Sequence, residues 1–155
     1  MIAPTASSAD REIVITRLLD APRELVFDAW TDPAHIGRWW GPNGFTTTTF
    51  EMDVRPGGTW RYVMHGPDGT DYPNRMRYLE VVRPERIVYD HDDDVEHDPR
   101  RFRTTVTFTE EGGGTRITMR SLFASVEQYE QVKAFGAVEG GHQTLARLEE
   151  HLAGR

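Results

Sequence analysis

The chain has 155 residues, of which 37% are hydrophobic, and it carries 18 lysines and arginines against 25 acidic residues. The net charge of −7, with no basic run, argues against binding to nucleic acid or to an anionic membrane. The absence of cysteine excludes disulfides, thiolate metal sites and a cysteine nucleophile. Because no apolar run reaches the roughly 20 residues of a membrane helix and no secretory signal pattern is present, we expect a cytoplasmic protein.

The first forty residues predict a tail, one strand and two short helices. Residues 1–10 are rich in Ala, Ser and Thr, which is typical of a disordered or loosely docked tail. Residues 11–19 contain a β-branched run that predicts the first strand. Pro22 opens one short helix, and the pair Asp32-Pro33 opens a second, because a capping carboxylate followed by proline favours a helix start.

From Phe45 onward the hydrophobic period changes to two, which predicts strands. Two alternating sets, Phe50 to Val54 and Trp60 to Met64, are separated by the turn residues Pro56-Gly57-Gly58. Regular short strands joined by such turns indicate an antiparallel meander. Further strands are predicted at about residues 72–82, 86–91, 101–109 and 115–122.

The period returns to helical over residues 125–153, which predicts one long C-terminal helix. Ser125 and Gln128 form a predicted capping box at its start. Gly141 falls on the apolar face, where it permits close approach of the sheet or leaves room for a ligand. The sequence therefore predicts a single domain over residues 11–153. The apolar face is predicted to contain Phe135, Val138, Leu145, Leu148 and Leu152, with interruptions at Gly136, Gly140 and Gly141.

Several short motifs occur in the order of a known family. With them the chain resembles the START-like superfamily, and more closely the bacterial homologues of the activator of heat-shock-protein-ninety ATPase. The resemblance spans about residues 12–152 and implies an α+β helix-grip fold, in which a bent antiparallel sheet of about seven strands surrounds a long C-terminal helix. The motifs are Asp20-Ala21-Pro22, Val26-Phe27-Asp28-Ala29-Trp30-Thr31-Asp32-Pro33, Trp39-Trp40-Gly41-Pro42, Pro56-Gly57-Gly58 followed by Trp60, Gly66-Pro67-Asp68-Gly69, Leu79-Glu80-Val81, Pro84-Glu85-Arg86-Ile87, and Glu139-Gly140 with Leu145 and Leu148.

The helix-grip resemblance implies an interior cavity between the sheet and the C-terminal helix. We therefore expect a small hydrophobic or aromatic molecule as the partner, since ligand cavities are mostly apolar with a few placed polar groups. The alternative is that the same rings only fill the core, because large side chains dominate core burial. The predicted ligand-binding residues are Trp40, Trp60, Tyr62, Met64, Tyr78, Tyr89, Phe108, Met119, Phe135 and His142.

The sequence contains no strong catalytic signature, so the enzyme question stays open. The weak candidates for a general acid or base are His142 and Glu80, the latter predicted to share an inner strand phase with Tyr78. Family members often carry Trp after the Glu-Gly of the last helix, whereas Gly141 and His142 follow here. Two alternatives to ligand binding remain: an enzyme of the cyclase, hydratase or hydrolase type, and a co-chaperone-like interaction module. A homodimer is possible.

Charged residues cluster in two further places. Residues 90–98 include His91, His97 and many carboxylates, but their spacing matches no standard metal site, so we predict a solvated loop, no metal and no cofactor. Four arginines on neighbouring predicted strands either face solvent or converge on an acidic ligand, and alternation favours the solvent face. They are Arg75, Arg77, Arg103 and Arg120.

Overall fold

Seven antiparallel strands form one sheet in the computed structural model, which describes residues 10–154. The predicted tail, residues 1–10, lies outside that range except for Asp10. The strands are β1 (Glu12–Leu19), β2 (Thr46–Met52), β3 (Thr59–His65), β4 (Asp71–Val82), β5 (Arg86–Asp92), β6 (Phe102–Glu111) and β7 (Gly114–Phe123). The helices are α1 (Arg23–Thr31), α2 (Pro33–Trp39), α3 (Val126–Ala134) and α4 (Ala137–Ala153).

The spatial order of the strands is β1-β7-β6-β5-β4-β3-β2, with every neighbouring pair antiparallel. The helices cover one side of this sheet, which we call the inner face. The predicted α+β helix-grip fold, with seven strands and two short helices after the first, is therefore confirmed. Within residues 10–154, no helix combines the length and the apolar character that crossing a membrane requires.

The long C-terminal helix is present as α4, but it begins at Ala137 instead of near residue 125, because the chain breaks between α3 and α4. Gly136 adopts a left-handed backbone with φ of 95°, which glycine tolerates at no steric cost. The break changes the helical phase, so Phe135 and Val138 do not share the buried face of α4. Phe135 is 84% exposed, whereas Leu145 and Leu148 are fully buried.

The predicted helix starts are confirmed in atomic detail. The Asp32 carboxylate accepts a hydrogen bond of 2.9 Å from the backbone N–H of Ala34, and Pro33 occupies the first turn of α2. At α3, the Ser125 hydroxyl accepts from the backbone N–H of Gln128 at 3.1 Å. The Gln128 side chain reaches back to the backbone N–H of Ala124 at 3.0 Å, one residue before the cap. These bonds satisfy backbone donors that the helix itself leaves unpaired.

Two β-bulges change the strand phase that simple alternation predicts. The register of β2 shifts between Thr49 and Glu51, and Phe50 is 65% exposed instead of facing the interior with Met52. The register of β4 shifts between Tyr78 and Glu80. Tyr78 is buried, but Glu80 faces outward. The predicted inner pair of Tyr78 and Glu80 is therefore wrong.

Gly141 lies where α4 crosses β1. A Cβ atom at this position would overlap Cδ1 of Ile15, whereas a Cβ atom at Gly140 would lie 3.5 Å from Cγ of Pro42, an ordinary contact. Of the two roles expected for Gly141, the structure shows the close approach of helix and sheet.

Gly140→Ala and Gly141→Ala therefore form a matched pair. Each removes a glycine from a helix, which by itself is worth about 1 kcal/mol in favour of alanine. We expect Gly140→Ala to raise the free energy of unfolding by up to about 1 kcal/mol. Gly141→Ala is expected to be less stable than Gly140→Ala by about 1 to 3 kcal/mol, because Ile15 must move. Urea unfolding measures both values.

Ile15→Val supplies the control, since it removes Cδ1, the atom that the new methyl group overlaps. In an Ile15→Val background the difference between the two glycine variants should shrink markedly, which a double-mutant cycle detects. Equal unfolding free energies for the two variants with Ile15 present would contradict the close approach.

Candidate functional site

One half of the interior is filled by a tryptophan cluster at the junction of α1, α2 and β3. Trp40 contacts Trp60 edge to face, with ring centroids 5.6 Å apart, and its indole N–H donates to the Tyr62 hydroxyl at 3.2 Å. Trp60 stacks on Tyr62 at 3.8 Å and donates its own indole N–H to the Thr49 hydroxyl. Three of the predicted ligand-binding residues, Trp40, Trp60 and Tyr62, are thus packed against one another, and both indole N–H groups are hydrogen-bonded.

A row of polar groups crosses the neighbouring strands of the inner face. Tyr89, Thr104 and Ser121 are direct cross-strand partners on β5, β6 and β7. The hydroxyls of Thr104 and Ser121 lie 2.9 Å apart. Burial raises the pKa of Tyr89 well above its usual range, and a hydrogen bond with Thr104 offsets part of that rise. Tyr78, beside Tyr89 on β4, also has a raised pKa, mainly because it is buried. These phenols are therefore neutral hydrogen-bonding groups at physiological pH.

A row of rings lies next to the polar row and leads from the sheet to α3. His91 contacts Phe102 with ring centroids 4.7 Å apart, and Phe102 contacts Phe123 at 5.0 Å. Phe123 in turn contacts Tyr129 of α3 at 6.4 Å. We call these four residues the ring row. Its members come from β5, β6, β7 and α3, so it lines the space between the sheet and that helix.

His91 differs from the rest of the ring row because its Nδ1 atom is buried without a hydrogen-bond partner. Burial lowers the pKa of His91 to about 4, although Asp92 and Asp98 act in the opposite direction. The imidazole is therefore uncharged at neutral pH. The charged stretch around His91 draws attention to it only as a metal ligand. Its position two residues after the inward-facing Tyr89 predicts that it too faces inward.

The two C-terminal helices are held very differently. In α4, Leu145 and Leu148 are fully buried, and the Arg147 guanidinium donates to the carbonyls of Gly41 and Pro42 at 2.9 and 3.1 Å. In α3, Gln128 is the only buried residue, and it is still 8% exposed. The remaining contacts of α3 with the core come from half-buried side chains, including Tyr129 and Val132. As a result α3 is a lightly packed cover over the ring row.

The remaining predicted site residues are spread over the molecule. Phe108 is buried against Phe27 and Trp30 of α1, while Met64 and Met119 are half-buried against the core. Phe135 and His142 are exposed, the former at the break before α4 and the latter on α4 itself. Glu80 points outward and pairs with Arg86 at 2.9 Å. The structure therefore brings neither weak catalytic candidate, His142 or Glu80, to the inner face.

The four arginines singled out from the sequence lie on the outer face, as alternation favours. Each binds a carboxylate of this chain, and Arg75 and Arg77 share Glu96. The Arg75 guanidinium donates to Asp92 at 2.8 Å with both side chains about nine-tenths buried. Within residues 10–154, no three His, Cys, Asp or Glu side chains form a metal-binding group. The other pairs are Arg77 with Glu96, Arg103 with Asp90 and Arg120 with Glu12.

Two hollows open on the surface of the protein. One, of about 230 Å³, lies at the end of β5, β6 and β7, and its border includes Arg11, Arg103 and Leu122 together with Phe102 and Phe123 of the ring row. The other, of about 190 Å³, lies between Leu19 and the end of α4. The candidate site is the inner face, where rings and neutral hydroxyls are concentrated.

The low pKa of His91 predicts an acid-dependent loss of stability. The unfolded state takes up a proton near pH 6.5 and the folded state only near pH 4, so the cost of burying His91 grows as the pH falls between these values. We expect His91 to account for at most about 3 kcal/mol of unfolding free energy lost over this window. His91→Phe should flatten the profile, whereas the exposed control His142→Phe should leave it unchanged. Identical slopes for His91→Phe and the unmodified protein would contradict the burial.

Comparison with solved structures shows the same fold in several bacterial proteins. Protein Ms6760 from Mycobacterium smegmatis is 29% identical, with a TM-score of 0.83 and coverage of 92% of this chain and 91% of that chain. A protein from Arthrobacter aurescens is 26% identical, with a TM-score of 0.87 and coverage of 96% and 89%. Protein NE0264 from Nitrosomonas europaea is 26% identical, with a TM-score of 0.84 and coverage of 94% and 96%.

No curated protein gives a significant match to this sequence. A family profile does match, and it covers residues 20–153, from the end of β1 to the end of α4. The profile is described as "Activator of Hsp90 ATPase homolog 1-like protein". Because this match covers most of the chain and includes every helix and strand except β1, the chain belongs to the family of Activator of Hsp90 ATPase homolog 1-like proteins.

Proposed function

We propose that this protein binds a small hydrophobic or aromatic molecule on the inner face of its sheet, against the ring row and beneath α3. The observation that carries the proposal is the contrast between this surface and its cover. The surface is rich in rings and neutral hydroxyls, which is the usual composition of a small-molecule site. In the helix above it, Gln128 is the only buried residue.

The ligand enters, in this proposal, by displacement of α3. The energetic cost of opening a segment depends on how much apolar surface it buries, and half-buried Tyr129 and Val132 are the main apolar contacts of α3. Gly136 provides a pivot, because its left-handed backbone already separates α3 from α4. The tryptophan cluster stays in place during this movement, since Trp40 and Trp60 belong to elements that do not include α3.

Membership of the family supports this proposal in a general way, since the helix-grip fold presents a concave sheet to a helix. The alternatives are an enzyme that uses the same surface and a co-chaperone-like interaction module. Ligand binding is favoured because the exposed position of His142 and the outward position of Glu80 leave both weak catalytic candidates off the inner face. The interaction module would act through the outer surface and leave the ring row unoccupied.

Native mass spectrometry of the protein purified from its own host tests the proposal. We expect a reproducible bound small molecule that is lost in Val132→Trp, because the indole fills the space between α3 and the core. Val126→Trp is the matched control on the same helix, since Val126 is 48% exposed. It should retain the molecule. A ligand-free mass for the unmodified protein, with no binding of a panel of aromatic compounds, would favour the interaction module.

Hydrogen exchange tests the mobility of the cover. Amides of α3 should exchange at least about 100-fold faster than those near Leu145 and Leu148 of α4. The reason is that local opening of α3 breaks few apolar contacts. A ligand seated under α3 should slow exchange in α3 and leave α4 unchanged. Equal protection of the two helices would show that α3 does not open separately.

A further inference from the structure

One buried atom on the inner face lacks a partner. Among the side chains of residues 10–154, Nδ1 of His91 is the single buried nitrogen or oxygen for which no hydrogen bond forms. Leaving such an atom unsatisfied costs free energy, so folded proteins contain few such atoms and each one calls for an explanation. A group that bonds this atom on binding recovers that free energy.

The surroundings of His91 favour an uncharged group. The imidazole of His91, whose Nδ1 atom is buried, is neutral at physiological pH, because desolvation lowers its pKa to about 4. Asp92 and Asp98 are the carboxylates that act electrostatically on His91. Their negative charge disfavours the binding of an anion beside the imidazole. Asp92 is itself neutralised by Arg75, and Asp98 accepts two backbone N–H groups, from Asp93 and Arg100. Neither carboxylate is therefore left free to recruit a cation.

The neighbours of His91 also define a shape. Phe102 lies against the imidazole, and Phe123 continues the same surface toward Tyr129. Met76, the cross-strand partner on the other side, is buried as well. A flat apolar ring fits such a surface, since aromatic contacts prefer offset or edge-to-face arrangements with rings.

A hydroxyl group matches Nδ1 better than other polar groups. A neutral imidazole presents one donor and one acceptor nitrogen, and a hydroxyl both donates and accepts, so it pairs with Nδ1 in either tautomer. We propose that Nδ1 of His91 binds the hydroxyl group of an uncharged hydroxy-aromatic ligand whose ring lies against Phe102 and Phe123, beneath α3. This inference rests on the proposed function, because it assigns the polar contact within the same site.

A pair of probes that differ only in the hydroxyl tests the assignment. 2-Naphthol and 2-methylnaphthalene have the same ring system and similar size. Isothermal titration calorimetry of the protein with each probe gives the two affinities. We expect 2-naphthol to bind about 10-fold more tightly, since one recovered hydrogen bond is worth about that factor. In His91→Phe the ratio should fall below about twofold, while the control His142→Phe keeps the ratio of the unmodified protein.

A second measurement does not depend on the folding of a variant. The ¹⁵N resonance of His91 Nδ1 should shift on addition of 2-naphthol and stay in place on addition of 2-methylnaphthalene. If both probes bind with equal affinity and the resonance does not move, the proposed function stands and the role of His91 is wrong. If neither probe binds, the proposed aromatic site fails, and the role of His91 fails with it.

Discussion

The packing of Trp40 against Trp60 and Tyr62 is the constraint on which the rest of the structure depends. Buried indole N–H groups must be bonded, and the acceptors here are a phenol on β3 and a threonine on β2. The Trp40–Tyr62 bond fastens the end of α2 to the sheet, and the Trp60–Thr49 bond joins β3 to β2 beneath it. The proposed binding of a small molecule therefore belongs to the other end, where α3 is the cover.

The two ends of the inner face are therefore built on different principles. At the tryptophan end, each ring is in contact with several others and the space is full. At the α3 end, neutral hydroxyls and an unpaired imidazole nitrogen accompany the rings, and the helix above has little apolar surface to bury. Gly136 separates the two C-terminal helices along the chain. The break lets α4 pack tightly against the core while α3 packs lightly.

The sequence was sufficient for the fold, since strand alternation, helix caps and turn glycines are local signals that packing here does not override. It was insufficient wherever one residue changed the phase. The bulges at Phe50 and Leu79 turned Phe50 and Glu80 outward, and the left-handed Gly136 removed Phe135 from the buried face. The inward direction of His91 could be predicted from strand alternation, because Tyr89 faces inward. The missing hydrogen bond at Nδ1 could not be predicted, since it depends on which side chains β6 and α3 place nearby.

The bulge at Phe50 also bears on how the sheet meets its surroundings. In the described part of the chain β2 forms one edge of an open sheet, and an edge presents unpaired backbone groups to any extended strand that approaches. The bulge interrupts that row midway and increases the local twist. A second chain that added along β2 would lose its register at this point, so the bulge protects the open edge against strand-by-strand aggregation.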